Sequence, residues 1–521
     1  MLSESDKRQI IEHGSTIESV ENQIRNFKSG FSFLILDSAA TTEHGIRKIS
    51  QLDQVNLLRS FDSLKADKTL VKFVPASGAA SRMFKSLFSF IDEYSGTDED
   101  YRRFSNGESF PDVYQFFREI KNFAFYDDLK AVYDIAGEGL QEAHLKHRFV
   151  NILKALLTDS GLDYSQLPKG LLKFHRYKTG SRTPAEEHLV EGANYARYSQ
   201  GNVRINFTVS PEHQSKFESY INRVKSIYEH EFSVTFQVTY SEQKHSTDTI
   251  AVDLHNNPFR NEDGTILFRP AGHGALIANL NDIEGDIVFI KNIDNVIPDY
   301  LKGTTYTYKK VLAAILMETQ EACFNFLEQI DTNWSPQLEE QIVSSFEELN
   351  IALPDDYVNK NESSRREFLH SKLNRPIRVC GMVGNIGDTG GGPFWIKAAD
   401  GTLSIQIVET AQLDLSNKEQ QTVFQSSTHF NPVDLVCSSK SYNGTRFDLT
   451  KYTDPKAGFI TEKSKDGKAL KVQELPGLWN GSMANWISIF VEVPKLTFNP
   501  VKTVTDLLND QHQPPKDSLY E

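Results

Sequence analysis

The sequence predicts an α/β protein: a mixed, mostly parallel sheet flanked by helices, with helical insertions. Three observations carry that prediction. The apolar runs at 70–75 and 286–294 read as strands buried on both faces, the pattern of a parallel sheet. Strand signals at 203–209 and 232–240 are separated by a stretch of helical spacing that opens at Pro211. Strands alternating with helices imply parallel or mixed pairing through right-handed crossovers.

Taken in order, residues 1–65 read as several short helices with breaks at Gly14, Gly30 and Gly45. The first convincing strand, 70–75, leads through a small-residue turn into a helix over 81–94. Residues 96–165 are rich in charge and helix formers and keep helical spacing, as in Phe149-Val-Asn-Ile-Leu-Lys-Ala-Leu-Leu. After the three later strand signals, 304–373 returns to helix. The last third, from Ile377, is mostly strand with Gly-rich turns, and the Pro-rich tail after Gln511 reads as disordered. The expected organisation is an N-terminal helical segment (1–65), one domain over 66–511 and a tail (512–521). Residues 92–165 and 304–373 are the helical insertion and helical segment of that domain.

Composition narrows the class. At 521 residues, 39% hydrophobic and 24% charged, the chain has the make-up of a soluble globular protein. Its net charge of −14 and the lack of a Lys/Arg-rich block argue against nucleic-acid binding. Cys323, Cys380 and Cys437 are odd in number and widely spaced, which argues against disulfides and a zinc cluster. No apolar stretch approaches the roughly 18 residues of a membrane span, and the N-terminus lacks an apolar signal core. No membrane association and a cytoplasmic location are the expectation.

Two places carry candidate chemistry. Asp294 ends the apolar run 286–294, and in open α/β sheets ligands bind just beyond the carboxyl ends of strands. A carboxylate there is placed to hold a hard divalent cation and its phosphates, although Asp-Asn is also ordinary turn chemistry. The strand at 70–75 runs into Ala76-Ser77-Gly78-Ala79-Ala80-Ser81-Arg82. Small residues let backbone N–H groups approach phosphate, and Arg82 lies in the first turn of the helix that follows.

Those two places and several others, in order, resemble the sugar nucleotidyltransferases, and the UDP-sugar pyrophosphorylase family in particular. Ser77, Gly78, Ala80, Ser81 and Arg82 fall on the family's Gly-Gly-x-Gly-Thr-Arg loop, with two glycines missing. Any position there that needed φ > 0 would be strained. Pro168-Lys169 is similar to the Pro-Lys that normally follows the loop closely, displaced here by the insertion at 92–165; Lys85 is its competitor. Arg269-Pro-Ala-Gly272-His273-Gly and Asn292-Ile-Asp294-Asn resemble the Pro-x-Gly-His-Gly and Asn-x-Asp-Asn elements. The segment 241–249, with Gln243, stands where a base- or sugar-contacting loop is expected. Gly391 belongs to a Gly-Gly element, Glu409 to Leu-Glu-x-Ala-Gln, and Asn431 to a Phe-Asn element. Lys502 falls on the lysine of Val-Pro-Arg-x-Arg-Phe-x-Pro-Val-Lys, with Lys495 and Thr497 in place of its arginines.

The resemblance covers about 70–510 and implies a nucleotidyltransferase (GT-A-like) fold. It implies that an NTP and a sugar-1-phosphate form a nucleotide-sugar and pyrophosphate with Mg²⁺ (or Mn²⁺) at Asp294. Arg82, Lys169 and Lys502 would serve catalysis; Ser77, Gly78, Ala79, Ala80, Ser81, Gln243 and Gly272 the nucleotide; His273, Gly391, Glu409 and Asn431 the substrate. The alternatives are a non-catalytic nucleotide-sugar-binding protein, a scaffold for partners, or a nucleotide-sugar-dependent glycosyltransferase. Asn292, at the first place of the Asp-x-Asp such transferases usually carry, disfavours the last.

Overall fold

The computed structural model describes residues 2–515 apart from 79, 136, 138, 386, 388–390 and 398–400. Two compact units make up the chain. One comprises Met1–Phe73, Ser241–Ile290 and Thr307–Lys495, the other Val74–Tyr240, Lys291–Tyr306 and Leu496–Glu521.

The first unit is built on a mixed, mostly parallel sheet. Its strands run in the order Ile46–Arg47, Ile487–Glu492, Ile377–Gly384, Asp434–Ser438, Ile287–Lys291 and Leu70–Pro75. Ile287 to Ile290 pair in parallel with Leu70 to Phe73, and Ile377 to Met382 in parallel with Ile487 to Glu492. Asp434–Ser438 runs antiparallel to Ile377–Gly384. Val71, Phe73, Val288, Ile290, Cys380, Met382 and Phe490 are buried in one core, as near-continuous apolar runs require. Arg378 is fully buried on this sheet, where its guanidinium donates to Ser488 Oγ (2.7 Å), Gln406 Oε1 (3.2 Å) and the Trp479 carbonyl (2.6 Å). Smaller antiparallel sheets pair Leu36–Ala39, Gly392–Lys397 and Leu403–Val408, and separately Phe459–Lys465, Lys468–Glu474, Thr249–Val252 and Phe268–Arg269.

The N-terminal reading needs correction. Helices do form at Glu4–Glu12, Ile17–Ser29 and Gln51–Leu64, and Gly14 (φ +83°) and Gly30 (φ +73°) end the first two. Between them, however, Leu36–Ala39 is a strand against Gly392–Lys397, and Ile46–Arg47 one against Ile487–Glu492. These strands exist through partners hundreds of residues away, so local spacing carries no sign of them.

The second unit joins a helical half to an α/β half. Among the described residues between Asp98 and Leu157 lie five helices, Asp98–Ser105, Pro111–Arg118, Tyr126–Ile135, Leu140–Leu145 and Phe149–Leu157. Their core is aromatic: Phe104 lies 5.0 Å from Phe90 and 5.1 Å from Phe149, and Phe117 is 4.7 Å from Phe149. The α/β half packs the strand Asn202–Thr208 and the helix Pro211–Phe232 through Val203, Ile205, Phe207, Phe217 and Ile221. A further helix, Pro184–Tyr195, starts from a Thr183/Glu186 capping box and is almost wholly buried, including Glu186, Glu187, His188 and Glu191.

Candidate functional site

In the second unit, the chain leaves the strand Leu70–Pro75 with the Ala76 N–H bonded to the Thr208 carbonyl (2.8 Å). Ser77 and Gly78 are then exposed, Ala80 is buried, and a single 3-10 turn, Ala80–Arg82, exposes Ser81 and Arg82. Ala79 lies outside the described residues. None of Ser77, Gly78, Ala80 and Ser81 takes a positive φ, so the missing glycines strain none of these positions. The segment beyond the five helices returns to this loop. The Lys169 N–H donates to the Gly78 carbonyl (3.3 Å), and the Ala80 N–H to the Leu167 carbonyl (3.4 Å).

Lys169 thereby reaches Asp294, 125 residues on, with Nζ 2.7 Å from Oδ2. Their side chains keep 13% and 21% exposure, so the pair is shielded yet open to a ligand. Gly170 permits this approach: a Cβ there would stand 2.8 Å from Phe217 and 3.0 Å from Ile293, the neighbour of Asp294. Lys85, the alternative to Lys169, is exposed at the start of the helix Lys85–Glu93.

Asp294 itself does not end the strand, which stops at Lys291; Asp294 sits in the turn that follows, where the Asn295 N–H bonds the Asn292 carbonyl (3.2 Å). That turn is stapled to the buried helix Pro184–Tyr195. On one side of Asp294, Lys291 Nζ meets Glu191 Oε1 at 2.7 Å, and His188 Nε2 is 3.2 Å from the Ile293 carbonyl. On the other, Lys302 bonds Glu187, which also holds His175 (2.8 Å) and the Tyr177 hydroxyl (2.7 Å). Burial alone would raise the Glu187 carboxyl, but the charge of Lys302, His175 and Arg182 hold it down at about 2. Paired charges of this kind stay buried only when each has its partner.

The C-terminal segment is stitched to the same turn. Val501 N–H donates to the Asp294 carbonyl (3.2 Å), Asn499 N–H to Asn295 Oδ1 (2.8 Å), and Asn295 Nδ2 to the Thr497 carbonyl (3.1 Å). Lys502 follows directly, exposed, with its N–H fixed by Asp506 Oδ2 at 2.7 Å. Arg82, Lys169, Asp294 and Lys502 therefore all belong to one unit. The sequence reading missed Glu187, His188, Glu191, Lys291 and Lys302, which fix the turn together with Asn295. A helix carrying three glutamates and a histidine reads as a solvated face, and only their distant partners reveal otherwise.

The remaining candidates lie in the first unit. Gly272 (φ +77°) leads into a turn in which a Cβ at Gly274 would sit 2.2 Å from the Pro476 carbonyl oxygen, so only glycine fits. The His273 ring stacks on Trp479 at 4.4 Å and 18°. Its Nδ1 accepts from the Leu478 N–H (3.1 Å), which puts the proton on Nε2, 3.6 Å from Glu409 Oε1. Glu409 also accepts from Asn480 Nδ2 at 2.6 Å. His273, opposed by burial and helped by Asn480, holds the Glu409 carboxyl below its usual range, so it is an ionised acceptor at neutral pH. The Asn431 N–H bonds the Gly391 carbonyl (2.8 Å), and Asn431 Nδ2 is buried with no protein partner among the described residues. Gln243 donates to Asp248 Oδ1 at 3.4 Å. Trp479 and Asn480 escaped the sequence reading, because nothing near them marks a ligand.

Residues 3–513 match the model of a family described as Domain of unknown function (DUF4301). The chain belongs to the DUF4301 family. No curated protein matches it. Solved structures similar to this DUF4301 chain include a UDP-glucose pyrophosphorylase variant from Leishmania major. It is 12% identical, with 98% of this chain and 82% of that one covered and a TM-score of 0.44. A second Leishmania major variant, in complex with UDP-glucose, has 12% identity, 98% and 79% coverage and a TM-score of 0.42. The uridine diphosphate N-acetylglucosamine pyrophosphorylase from Trypanosoma brucei, in complex with an inhibitor, has 10% identity, 94% and 74% coverage and a TM-score of 0.44.

Cys323, Cys380 and Cys437 are free and buried. No helix among the described residues is long and apolar enough to cross a membrane. Asp294 belongs to no group of three metal-ligating side chains among the described residues. A single carboxylate still suits Mg²⁺, which keeps waters and is commonly held by one or two carboxylates and substrate phosphates.

Proposed function

We propose that this protein is a sugar-1-phosphate nucleotidyltransferase, joining an NTP to a sugar-1-phosphate and releasing pyrophosphate. The observation that supports it is the contact of Lys169 with Asp294 beside the loop at 77–82, across 125 residues of sequence. An oxygen of the sugar phosphate attacks the α-phosphorus of the NTP, and the bond to the β-phosphate oxygen breaks. The attacking oxygen is already anionic, so no general base is needed. Repulsion between the two anions is the main barrier, and preorganised charge lowers it. Arg82, Lys169 and Lys502 supply the positive charge, and the exposed Ser77 and Gly78 let the loop backbone approach phosphate. Mg²⁺ (or Mn²⁺), held by Asp294 and substrate phosphates, would supply further neutralisation. His273, Gly391, Glu409 and Asn431 are assigned to the substrate and Gln243 and Gly272 to the nucleotide; a cytoplasmic enzyme acting on soluble nucleotides is the corresponding setting.

The test is pyrophosphate release across a matrix of NTPs and sugar-1-phosphates with Mg²⁺. Turnover is expected with at least one pair, and a loss of about 100-fold or more in Lys169→Ala and in Asp294→Ala, the scale of one preorganised charge. Saturable nucleotide-sugar binding without release from any pair would identify a non-catalytic binder instead. Transfer of the sugar from a nucleotide-sugar to an acceptor would identify a glycosyltransferase.

A further inference from the structure

Three ligating side chains meet in the first unit, apart from every group used above except at Gln243. His13 closes the helix Glu4–Glu12, and the loop before the strand Thr249–Val252 brings His245 and Asp248 to it. One nitrogen of each imidazole and one Asp248 oxygen lie within 4.8 Å of one another. His13 Nε2 is 2.9 Å, and His245 Nδ1 3.5 Å, from the same oxygen, Asp248 Oδ2. In a tetrahedral site with zinc bonds near 2.0 Å, ligand atoms stand about 3.3 Å apart. The two His–Asp edges bracket that value, and the imidazole–imidazole edge lies within 4.8 Å.

The surroundings fix two ligands and leave the third accessible. His13 stacks on Phe268 at 4.0 Å and 18°, and the Asp248 side chain is 11% exposed. The His245 side chain is 72% exposed, which leaves an approach from solvent. Lys244, the cation nearest in the loop, is turned to Asp282 at 2.6 Å and does not compete for Asp248. Two imidazoles and one carboxylate suit borderline transition ions, whereas Mg²⁺ and Ca²⁺ prefer all-oxygen sites.

We propose that His13, His245 and Asp248 bind one divalent ion of the zinc class, with a fourth position left to water. Bound there, the ion ties the first helix to the 241–249 loop across 235 residues of sequence and fixes the carboxylate to which Gln243 donates. The site stands independently of the nucleotidyl-transfer reading.

Untagged protein stripped with a chelator and titrated with Co²⁺ should develop visible d–d absorption that saturates at one equivalent and is displaced by Zn²⁺. Losing even an outer partner weakens metal sites by roughly 10–100-fold, so loss of a ligand in His245→Ala should cost at least about 100-fold. That exposed side chain can be removed without disturbing the core, and Asp248→Asn should repeat the loss. Asp294→Asn should leave the spectrum unchanged, separating this ion from any held at Asp294. Absence of a saturable spectrum, or equal titration of wild type and His245→Ala, would overturn the proposal.

Discussion

Replacing Glu187 by Gln removes the charge that keeps Lys302 buried, and the cost can be worked from the site. Both side chains are fully buried, and among the described residues Lys302 retains only Asp299, at 2.6 Å, as a charged partner. The Glu187 carboxyl titrates at about 2 instead of 4.5, because Lys302, His175 and Arg182 outweigh its burial. At about 1.4 kcal/mol per tenfold change in proton affinity, that difference corresponds to roughly 3 kcal/mol of stability at pH 7. This agrees with the ~3–5 kcal/mol usual for breaking a buried pair from one side. The sign follows from the depressed value: the stabilisation is fully present above pH 4.5 and is lost as the pH falls toward 2. Urea unfolding should therefore find Glu187→Gln about 3 kcal/mol less stable at pH 7, with the gap narrowing by about 2 kcal/mol at pH 3. Far-UV circular dichroism is the suitable probe, because Trp334, Trp395, Trp479 and Trp486 all lie in the other unit. A gap below about 1 kcal/mol at pH 7, or one that does not change with pH, would refute the reasoning.

Three other outcomes are expected. Gly170→Ala forces a Cβ to 2.8 Å from Phe217 and 3.0 Å from Ile293, so it should lose about 1–3 kcal/mol in the same unfolding assay and slow pyrophosphate release. Glu409→Gln keeps the shape but not the charge, and should raise KM for the sugar-1-phosphate about 10-fold, the effect of one charge-assisted hydrogen bond, as initial rates would show. Burial pushes the Cys323 thiol up to about 12 and the Cys380 thiol to about 11, and raises Cys437 as well. A thiol reagent should accordingly label no cysteine in the native protein and all three after denaturation.

The sheet's apolar strands were legible in sequence because burial on both faces leaves uninterrupted runs, as at 70–75 and 287–291. Leu36–Ala39 was not, since it is a strand only through its pairing with Gly392–Lys397. Lys169 could be singled out from the Pro-Lys pair in which it stands, and its Nζ lies 2.7 Å from Asp294 Oδ2. What holds that contact was hidden. Glu187, His188 and Glu191 have the spacing of a solvated helix face, and nothing local announces that Lys291 and Lys302 will cover them. A charge's burial is decided by partners, and partners distant in sequence leave no periodic trace.

The helix Pro184–Tyr195 also bears on the order in which the chain can fold. Two of its glutamates, Glu191 and Glu187, gain their lysine partners only when Lys291 and Lys302 arrive, 100 and 115 residues later. His175, bound to Glu187, meets His512, 337 residues after it. Loop closure over such distances is slow. The lysine–carboxylate pair at Asp294 depends on that closure, whereas Phe104, Phe117 and Phe149 of the helices between Asp98 and Leu157 pack on one another across short stretches of sequence.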